Sequence, residues 1–177
     1  MLLFTNGKKM IDPGYVQGVK KTGLDMVILQ FDTLDEEHCQ EIRGERLVHD
    51  KFKALNHLEQ AGIPVYLFTM IVRGINVNEI NALLGLATKK NLIKIINFNP
   101  VWEMGRLGHH EECSASDVMN LIQEQTLLTR KDFAESTYFS FYLFELFNKI
   151  TCLGGRKQPM CEMRCYLICH AHGYISI

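Results

Sequence analysis

Short apolar runs alternate with segments of helical periodicity through the first hundred residues. The runs are four to nine residues long and rich in β-branched and aromatic side chains, which predicts four strands at Leu2–Thr5, Met26–Phe31, Pro64–Val72 and Leu92–Phe98. The continuous apolar character of the second and fourth runs is typical of strands buried on both faces. Strands that alternate with helices predict right-handed βαβ units around a parallel sheet.

Helix signals lie between these strands. Asp12-Pro13 predicts an N-cap followed by a first-turn proline, with a helix end near Gly23. Apolar residues recur at helical spacing over Arg46–Gln60, and Gly62 follows where a helix-terminating glycine is expected. Another helix begins at Asn76 or Asn78.

The pattern changes after Pro100. A polar loop at 103–116 precedes a helix that Ser116-Asp117 is expected to cap, and a longer helix is predicted from Thr129 to about Lys149. The fold class is therefore α/β, an incomplete parallel (β/α) barrel of about four strands with outer helices. We assign it to residues 1–126, and assign residues 127–177 to a mostly helical, cysteine-containing C-terminal extension. Four strands alone leave open sheet edges.

Composition narrows the class of protein. The chain has 177 residues, 47% of them hydrophobic, which predicts one globular domain with a real core. A net charge of −1 gives no field that attracts nucleic acid or an anionic membrane. We find no transmembrane segment and no targeting segment in the apolar start, and expect a cytoplasmic chain. The six cysteines are expected to be thiols or metal ligands rather than disulfides.

Polar side chains occur at the predicted strand ends. Parallel barrels bind ligands where their βα loops converge. Hydroxyl, amide and carboxylate groups there could bond to the ribose, the adenine edge and the amino acid part of a nucleoside cofactor: Thr5, Asn6, Gln30, Asp32, Asn76, Asn97 and Asn99. Arg43 could pair with a cofactor carboxylate. The alternative is a structural role, because Asp32 and Asn76 could cap the helices that follow them.

Four of these strand ends carry motifs that resemble the radical S-adenosylmethionine (radical SAM) superfamily. The motifs are Thr5-Asn6-Gly7, Leu29–Asp32 followed by Ile42-Arg43-Gly44, Val72-Arg73-Gly74-Ile75-Asn76, and Asn97–Pro100 with Gly105-Arg106. They resemble strands three to six of that family's partial barrel, in the right order. The last motif is most similar to the branch of tetraether lipid synthase and pterin-methylating enzymes.

The resemblance implies cofactors and a site. Radical SAM enzymes use S-adenosylmethionine and a 4Fe-4S cluster, held by Cys-x3-Cys-x2-Cys after the first strand. That motif is absent from this chain, so the resemblance implies no catalytic residue here. It implies cofactor binding by Thr5, Asn6, Gln30, Asp32, Arg43, Gly74, Asn76, Asn97, Asn99 and Arg106.

The function expected from the resemblance is that of a C-terminal fragment of a radical SAM enzyme, inactive alone. It would need an N-terminal fragment that carries Cys-x3-Cys-x2-Cys and an electron donor of the flavodoxin or ferredoxin type. The alternative is a non-catalytic α/β remnant or partner-binding module, with or without a C-terminal zinc site.

The chain ends in a cysteine-rich segment, Cys161-x3-Cys165-x3-Cys169, with Cys152 upstream. If residues 161–169 are helical, the three sulfurs share a face but span about 12 Å, too far for one ion. Two of them with Cys152 or a histidine could bind zinc or an auxiliary iron–sulfur cluster. Idle thiols on an apolar helix face are the alternative.

Overall fold

The computed structural model describes residues 1–101, 113–129, 131, 165–170 and 173–175. Arg106, Cys152, Cys161, the polar loop from 103 to 112 and nearly all of the helix predicted from Thr129 to Lys149 lie outside the described residues.

Four parallel strands form the centre of the described part of the chain. They lie side by side in chain order: β1 (Leu2–Thr5), β2 (Met26–Gln30), β3 (Val65–Ile71) and β4 (Ile93–Pro100). Each was predicted from its apolar run; the bounds of β1 agree with the prediction, and those of the other three strands differ by at most two residues. The α/β partial barrel expected from the sequence is confirmed.

Two further strands extend the sheet in the antiparallel sense. Strand β5 (Cys165–His170) pairs with β4, and β6 (Gly173–Ile175) pairs with β5. The helical conformation expected for the C-terminal extension is wrong at these residues. The physical reason is the free edge of β4, whose backbone donors and acceptors a strand can pair and a helix cannot. The open edge expected at this side of the sheet is thereby covered.

The helices connect the strands as the periodicity predicted. Their bounds are α1 (Pro13–Lys21), α2 (Glu36–Arg43), α3 (Val48–Ala61), α4 (Ile80–Lys89) and α5 (Ala115–Gln125). The expected cap holds for α1, where the Asp12 side chain accepts a hydrogen bond from Gly14 N at 2.8 Å. The cap predicted for α5 is wrong by two residues, because Ser114 and Asp117 form a reciprocal capping box that starts the helix there.

The core lies between one face of the sheet and the helices. Alternate strand residues such as Leu29, Leu67 and Phe98 are fully buried against Leu55 of α3 and Leu84 of α4. The opposite strand positions, on the other face, are mostly half-buried. No helix among the described residues is long and apolar enough to cross a membrane.

Candidate cofactor site at the strand ends

A buried carboxylate occupies the carboxyl end of β2. Asp32 is 1% exposed, and its Oδ1 accepts a hydrogen bond from Met70 N of β3 at 2.9 Å. Arg43, the last residue of α2, donates from Nε to Oδ2 at 2.7 Å and from Nη2 to Oδ1 at 2.9 Å. The bidentate geometry makes this a strong charge-assisted contact. Both oxygens of Asp32 are therefore engaged by protein donors.

Gln30 forms hydrogen bonds with the edge of the Arg43 guanidinium made by Nη1 and Nη2. With the amide oxygen facing Arg43, Oε1 accepts from Nη2 at 2.5 Å and from Nη1 at 2.9 Å. That orientation is required because a guanidinium has only donors. Arg43 was expected to pair with a cofactor carboxylate, but Asp32 occupies the edge of its guanidinium formed by Nε and Nη2.

Asn76 joins the ends of β2 and β3. The side chain is fully buried; Nδ2 donates to the carbonyl oxygens of Asp32 at 2.8 Å and Met70 at 2.7 Å. Its Oδ1 accepts from Val72 N at 2.7 Å. The amide thus satisfies three backbone groups at once, and it makes no side-chain cap to the short 3-10 helix that follows. Asp32 does not cap α2 either, since Asp35 does.

A second cationic side chain lies beside Asp32, and this one is buried. Lys51 of α3 is 2% exposed, and its Nζ lies 3.8 Å from Oδ2 of Asp32 and 5.8 Å from the centroid of the Phe31 ring. Burial lowers the pKa of the Lys51 ammonium, and the nearby Asp32 carboxylate partly opposes that shift. The strand ends therefore hold one buried carboxylate between two cationic side chains.

Glu79 ties the two neighbouring loops together. Its carboxylate accepts from Thr33 Oγ1 at 2.7 and 2.8 Å and from Leu34 N at 2.6 Å. His38 Nδ1 lies 2.6 Å from Glu79 Oε1, and this hydrogen bond raises the pKa of the imidazole. Three residues of the loop and helix after β2 thus contact one residue after β3.

Thr5 and Asn6 shape the turn after β1. Thr5 Oγ1 accepts from Gly7 N at 3.1 Å, and Asn6 Oδ1 accepts from Lys8 N at 3.2 Å. Gly7 takes a φ of 90°, and a Cβ there would lie 2.9 Å from Leu29 Cδ1. Both predicted site side chains therefore stabilise a tight turn that passes close to β2.

Asn97 and Asn99 follow one another on the same side of β4. Asn97 is fully buried and donates from Nδ2 to the Tyr66 hydroxyl at 2.8 Å. Oδ1 of Asn97 and Nδ2 of Asn99 are buried and have no hydrogen-bond partner among the described residues. Unsatisfied buried polar atoms are rare and costly, so these two mark a place where a ligand would recover hydrogen bonds.

Three further residues predicted to bind the cofactor or a metal lie among the described residues. Gly74 lies in the loop after β3 with a φ of 80°, a conformation that favours glycine. Cys165 and Cys169 both lie in β5. No group of three metal-ligating side chains occurs among the described residues.

Sequence reasoning missed Lys51, Glu79 and His38. Lys51 carried a usable signal, because it interrupts the apolar stripe between Leu47 and Leu55 at helical spacing. A lysine in such a position is either buried with a partner or extended toward solvent. Glu79 lies three residues after the motif that ends at Asn76, but nothing in the sequence indicated that it reaches the loop after β2.

Several curated proteins are similar to this chain, among them the following three. A 7,8-dihydro-6-hydroxymethylpterin dimethyltransferase of Methanocaldococcus jannaschii is 32% identical over 139 residues, which are 74% of this chain and 28% of that protein. A GTP 3',8-cyclase of Campylobacter curvus is 23% identical over 163 residues, covering 92% of this chain and 49% of that protein. A probable GTP 3',8-cyclase of Pyrococcus abyssi is 33% identical over 91 residues, covering 51% and 29%. No family model matches the chain.

These relatives are radical SAM proteins, and this chain has the α/β partial barrel that its strand-end motifs predicted. The chain belongs to the radical SAM superfamily. It spans between about a quarter and a half of the length of these three relatives.

Proposed function

We propose that this chain is the S-adenosylmethionine-binding part of a radical SAM enzyme. The observation that supports it best is the grouping of polar side chains at the carboxyl ends of β1 to β4, with two buried, unpartnered amide atoms on β4. Carboxyl ends of parallel strands are where such folds bind ligands. Among the residues predicted to bind the cofactor, Asn97 and Asn99 have hydrogen-bonding capacity that the described residues leave unused.

The 4Fe-4S cluster of the family does not fit the residues of this chain. Cys-x3-Cys-x2-Cys is absent from the sequence, and Cys39 and Cys113 are separate buried thiols. With its cluster, S-adenosylmethionine supplies the family with a 5′-deoxyadenosyl radical that abstracts hydrogen from an unactivated C–H bond. We propose that an N-terminal fragment carries the cluster motif, with a flavodoxin or ferredoxin type of protein as electron donor.

Equilibrium dialysis of the full chain with labelled S-adenosylmethionine tests the binding proposal. We expect saturable binding that weakens about tenfold in Asn99→Ala, because one ligand hydrogen bond is lost. Asn91→Ala is the matched control, since this exposed asparagine precedes β4 at the opposite end of the sheet. The absence of binding by the unmodified chain would overturn the proposal.

The partner proposal has its own test. The chain is reconstituted anaerobically with iron and sulfide, alone and together with a fragment that carries Cys-x3-Cys-x2-Cys, and each sample then receives S-adenosylmethionine and a reduced flavodoxin as electron donor. We expect a cluster and 5′-deoxyadenosine only in the mixed sample. Neither product in either sample would reject the enzyme function.

A non-catalytic, partner-binding module is the second candidate, and one observation favours it. On the edge strand β1, Leu2 and Phe4 are 62% and 55% exposed, and β1 pairs only with β2 among the described strands. An unprotected apolar edge is a template for strand addition. A tight complex with the partner fragment, without S-adenosylmethionine binding by either, would favour this candidate.

A further inference from the structure

Part of the backbone of the edge strand β1 points away from the sheet. Val27 N of β2 donates to the carbonyl oxygen of Pro64, just before β3, at 3.0 Å, so Val27 faces β3 and its neighbour Ile28 faces β1. Ile28 is paired in register with Phe4. In a parallel pair, Ile28 bonds to the residues on either side of Phe4 and not to Phe4 itself. The N–H and C=O groups of Phe4, and of Leu2 two positions earlier, therefore point to the free edge.

The sequence of β1 does not protect this edge. Natural edge strands carry charged side chains, prolines or bulges that prevent another strand from pairing. The residues of β1, Leu-Leu-Phe-Thr, include no charge and no proline, and the register with β2 is continuous. Leu3 packs against the core on the helix side, so Leu2 and Phe4, which are 62% and 55% exposed, lie on the opposite face. Both the backbone and the side chains of this edge can therefore receive a further strand.

The edge of β1 is complementary to a second copy of itself. A two-fold axis perpendicular to the sheet relates two copies of an edge strand in the antiparallel sense. With the axis at Leu3, Leu2 lies opposite Phe4 of the other copy, and Phe4 lies opposite Leu2. These are the residues whose N–H and C=O groups point outward, so each pair exchanges both of its main-chain hydrogen bonds. Leucine meets phenylalanine at both positions, and no charge is opposed by another.

We propose that two copies of this chain associate through β1, by an antiparallel pair that joins their sheets into one. Phe4 contacts Phe68 of β3 edge to face, at 5.2 Å between ring centroids, so Leu2 of the second copy extends an apolar cluster that is already present. Cross-strand pairs of aromatic and aliphatic side chains stabilise antiparallel strands, whereas a polar or charged segment would leave Leu2 and Phe4 without apolar neighbours. This inference does not depend on the proposed function.

Analytical ultracentrifugation of the full chain, from about 1 µM to about 1 mM, tests the association. We expect a reversible equilibrium between monomer and dimer. Phe4→Lys places two like charges at the contact and should weaken dimerisation by about tenfold or more. Ile11→Lys is the matched control, because Ile11 is also an exposed apolar residue but lies in the 3-10 helix Lys8–Ile11. A chain that is monomeric at every concentration, or a dimer that Phe4→Lys leaves unchanged, would overturn the proposal.

Amide hydrogen exchange distinguishes this pairing from any other contact between two copies. The Phe4 N–H faces the free edge, whereas the Thr5 N–H faces β2. A rise in protein concentration should slow exchange of the Phe4 amide several-fold and leave that of Thr5 unchanged.

Leu2→Pro removes an N–H from the free edge and none from the pairing with β2, and proline is tolerated at such positions. This variant should remain monomeric and keep the thermal unfolding temperature of the unmodified monomer. If the protection that depends on concentration lies outside β1, or if Leu2→Pro still dimerises, the copies associate through another surface and the proposal is wrong.

Discussion

Arg43 closes a bidentate ion pair with the buried Asp32, at 2.7 and 2.9 Å, across the loop between β2 and α2. Arg43 ends α2, and Gly44 beyond it takes a φ of 75° that stops the helix. The length of α2 thus brings the guanidinium back to the strand end. The pair joins a helix end to the parallel sheet at the point where the family's ligand is expected.

Arg43→Ala should destabilise the fold. The substitution leaves the carboxylate of Asp32 buried without its bidentate partner, and losses of about 3 kcal/mol are typical of such changes. Arg46→Ala is the matched control, because its pair with Glu37 is exposed, and such pairs contribute at most about 1 kcal/mol. Denaturant unfolding measures both. Similar losses of unfolding free energy for the two variants would show that the pair of Arg43 with Asp32 stabilises the fold no more than an exposed ion pair does.

Asn76→Ala should cost more stability than the loss of one hydrogen bond. It removes partners from two carbonyl oxygens and one N–H at the ends of β2 and β3, and each unsatisfied buried group costs about 1–3 kcal/mol. Asn78→Ala, exposed in the same segment, should change the free energy of unfolding by less than about 0.5 kcal/mol. A loss below about 1 kcal/mol for Asn76→Ala would show that water replaces the amide.

Lys51→Met should be tolerated near neutral pH. Asp32 keeps its pair with Arg43, and an apolar chain of similar volume avoids the cost of burying an ammonium, so the variant should equal or exceed the unmodified chain in stability. Lys53→Met, on the exposed side of α3, controls for the loss of a positive charge.

The same lysine gives a pH prediction. Because burial lowers its pKa in the folded chain, the unfolded chain binds the proton more strongly between that pKa and about 10.4. Stability contributed by this group therefore rises with pH across that window. As pH rises, the free energy of unfolding of the unmodified chain should increase relative to that of Lys51→Met. If the difference between the two free energies does not change with pH, the Lys51 ammonium lies in solvent.

His38 should give a pH dependence of the opposite sign. Its folded pKa is raised by Glu79, so its stabilising contribution is complete below about pH 6.5 and is lost as pH rises through the raised value. The difference in unfolding free energy between the unmodified chain and His38→Gln should shrink over that range. Glu79→Gln should remove the same pH-dependent part, and a difference independent of pH would contradict the contact.

Gly7→Ala should destabilise the turn after β1. The residue has a φ of 90°, and the new methyl group would meet Leu29 Cδ1 at 2.9 Å. A loss of about 1–3 kcal/mol follows from strain and overpacking. Gly18→Ala, within α1 and with no atom within 4 Å of the added methyl, should instead gain about 0.5–1 kcal/mol. Thermal unfolding of both variants measures the contrast.

Much of the fold could be predicted from local patterns. The four parallel strands follow from apolar runs, and α1 follows from Asp12-Pro13, because these signals depend only on residues near one another in the chain. The cap of α5 was misplaced since two serines lie within three positions, and the side chain of Asp117 decides between them by bonding to Ser114. Strand β5 was missed because pairing with β4 depends on residues far away in sequence.

The sequence by itself determined the family, the parallel sheet and the group of polar residues at the strand ends. These depend on short motifs and on periodicity, which the chain carries locally. Only the tertiary structure decided which of those residues are already hydrogen-bonded to other protein groups. Asp32 and Asn76 form hydrogen bonds at the ends of β2 and β3, and the Arg43 guanidinium binds Asp32. A buried polar group forms a hydrogen bond with the partner that lies within reach after folding, and Asp32 is brought to Arg43 across 11 residues and to Asn76 across 44.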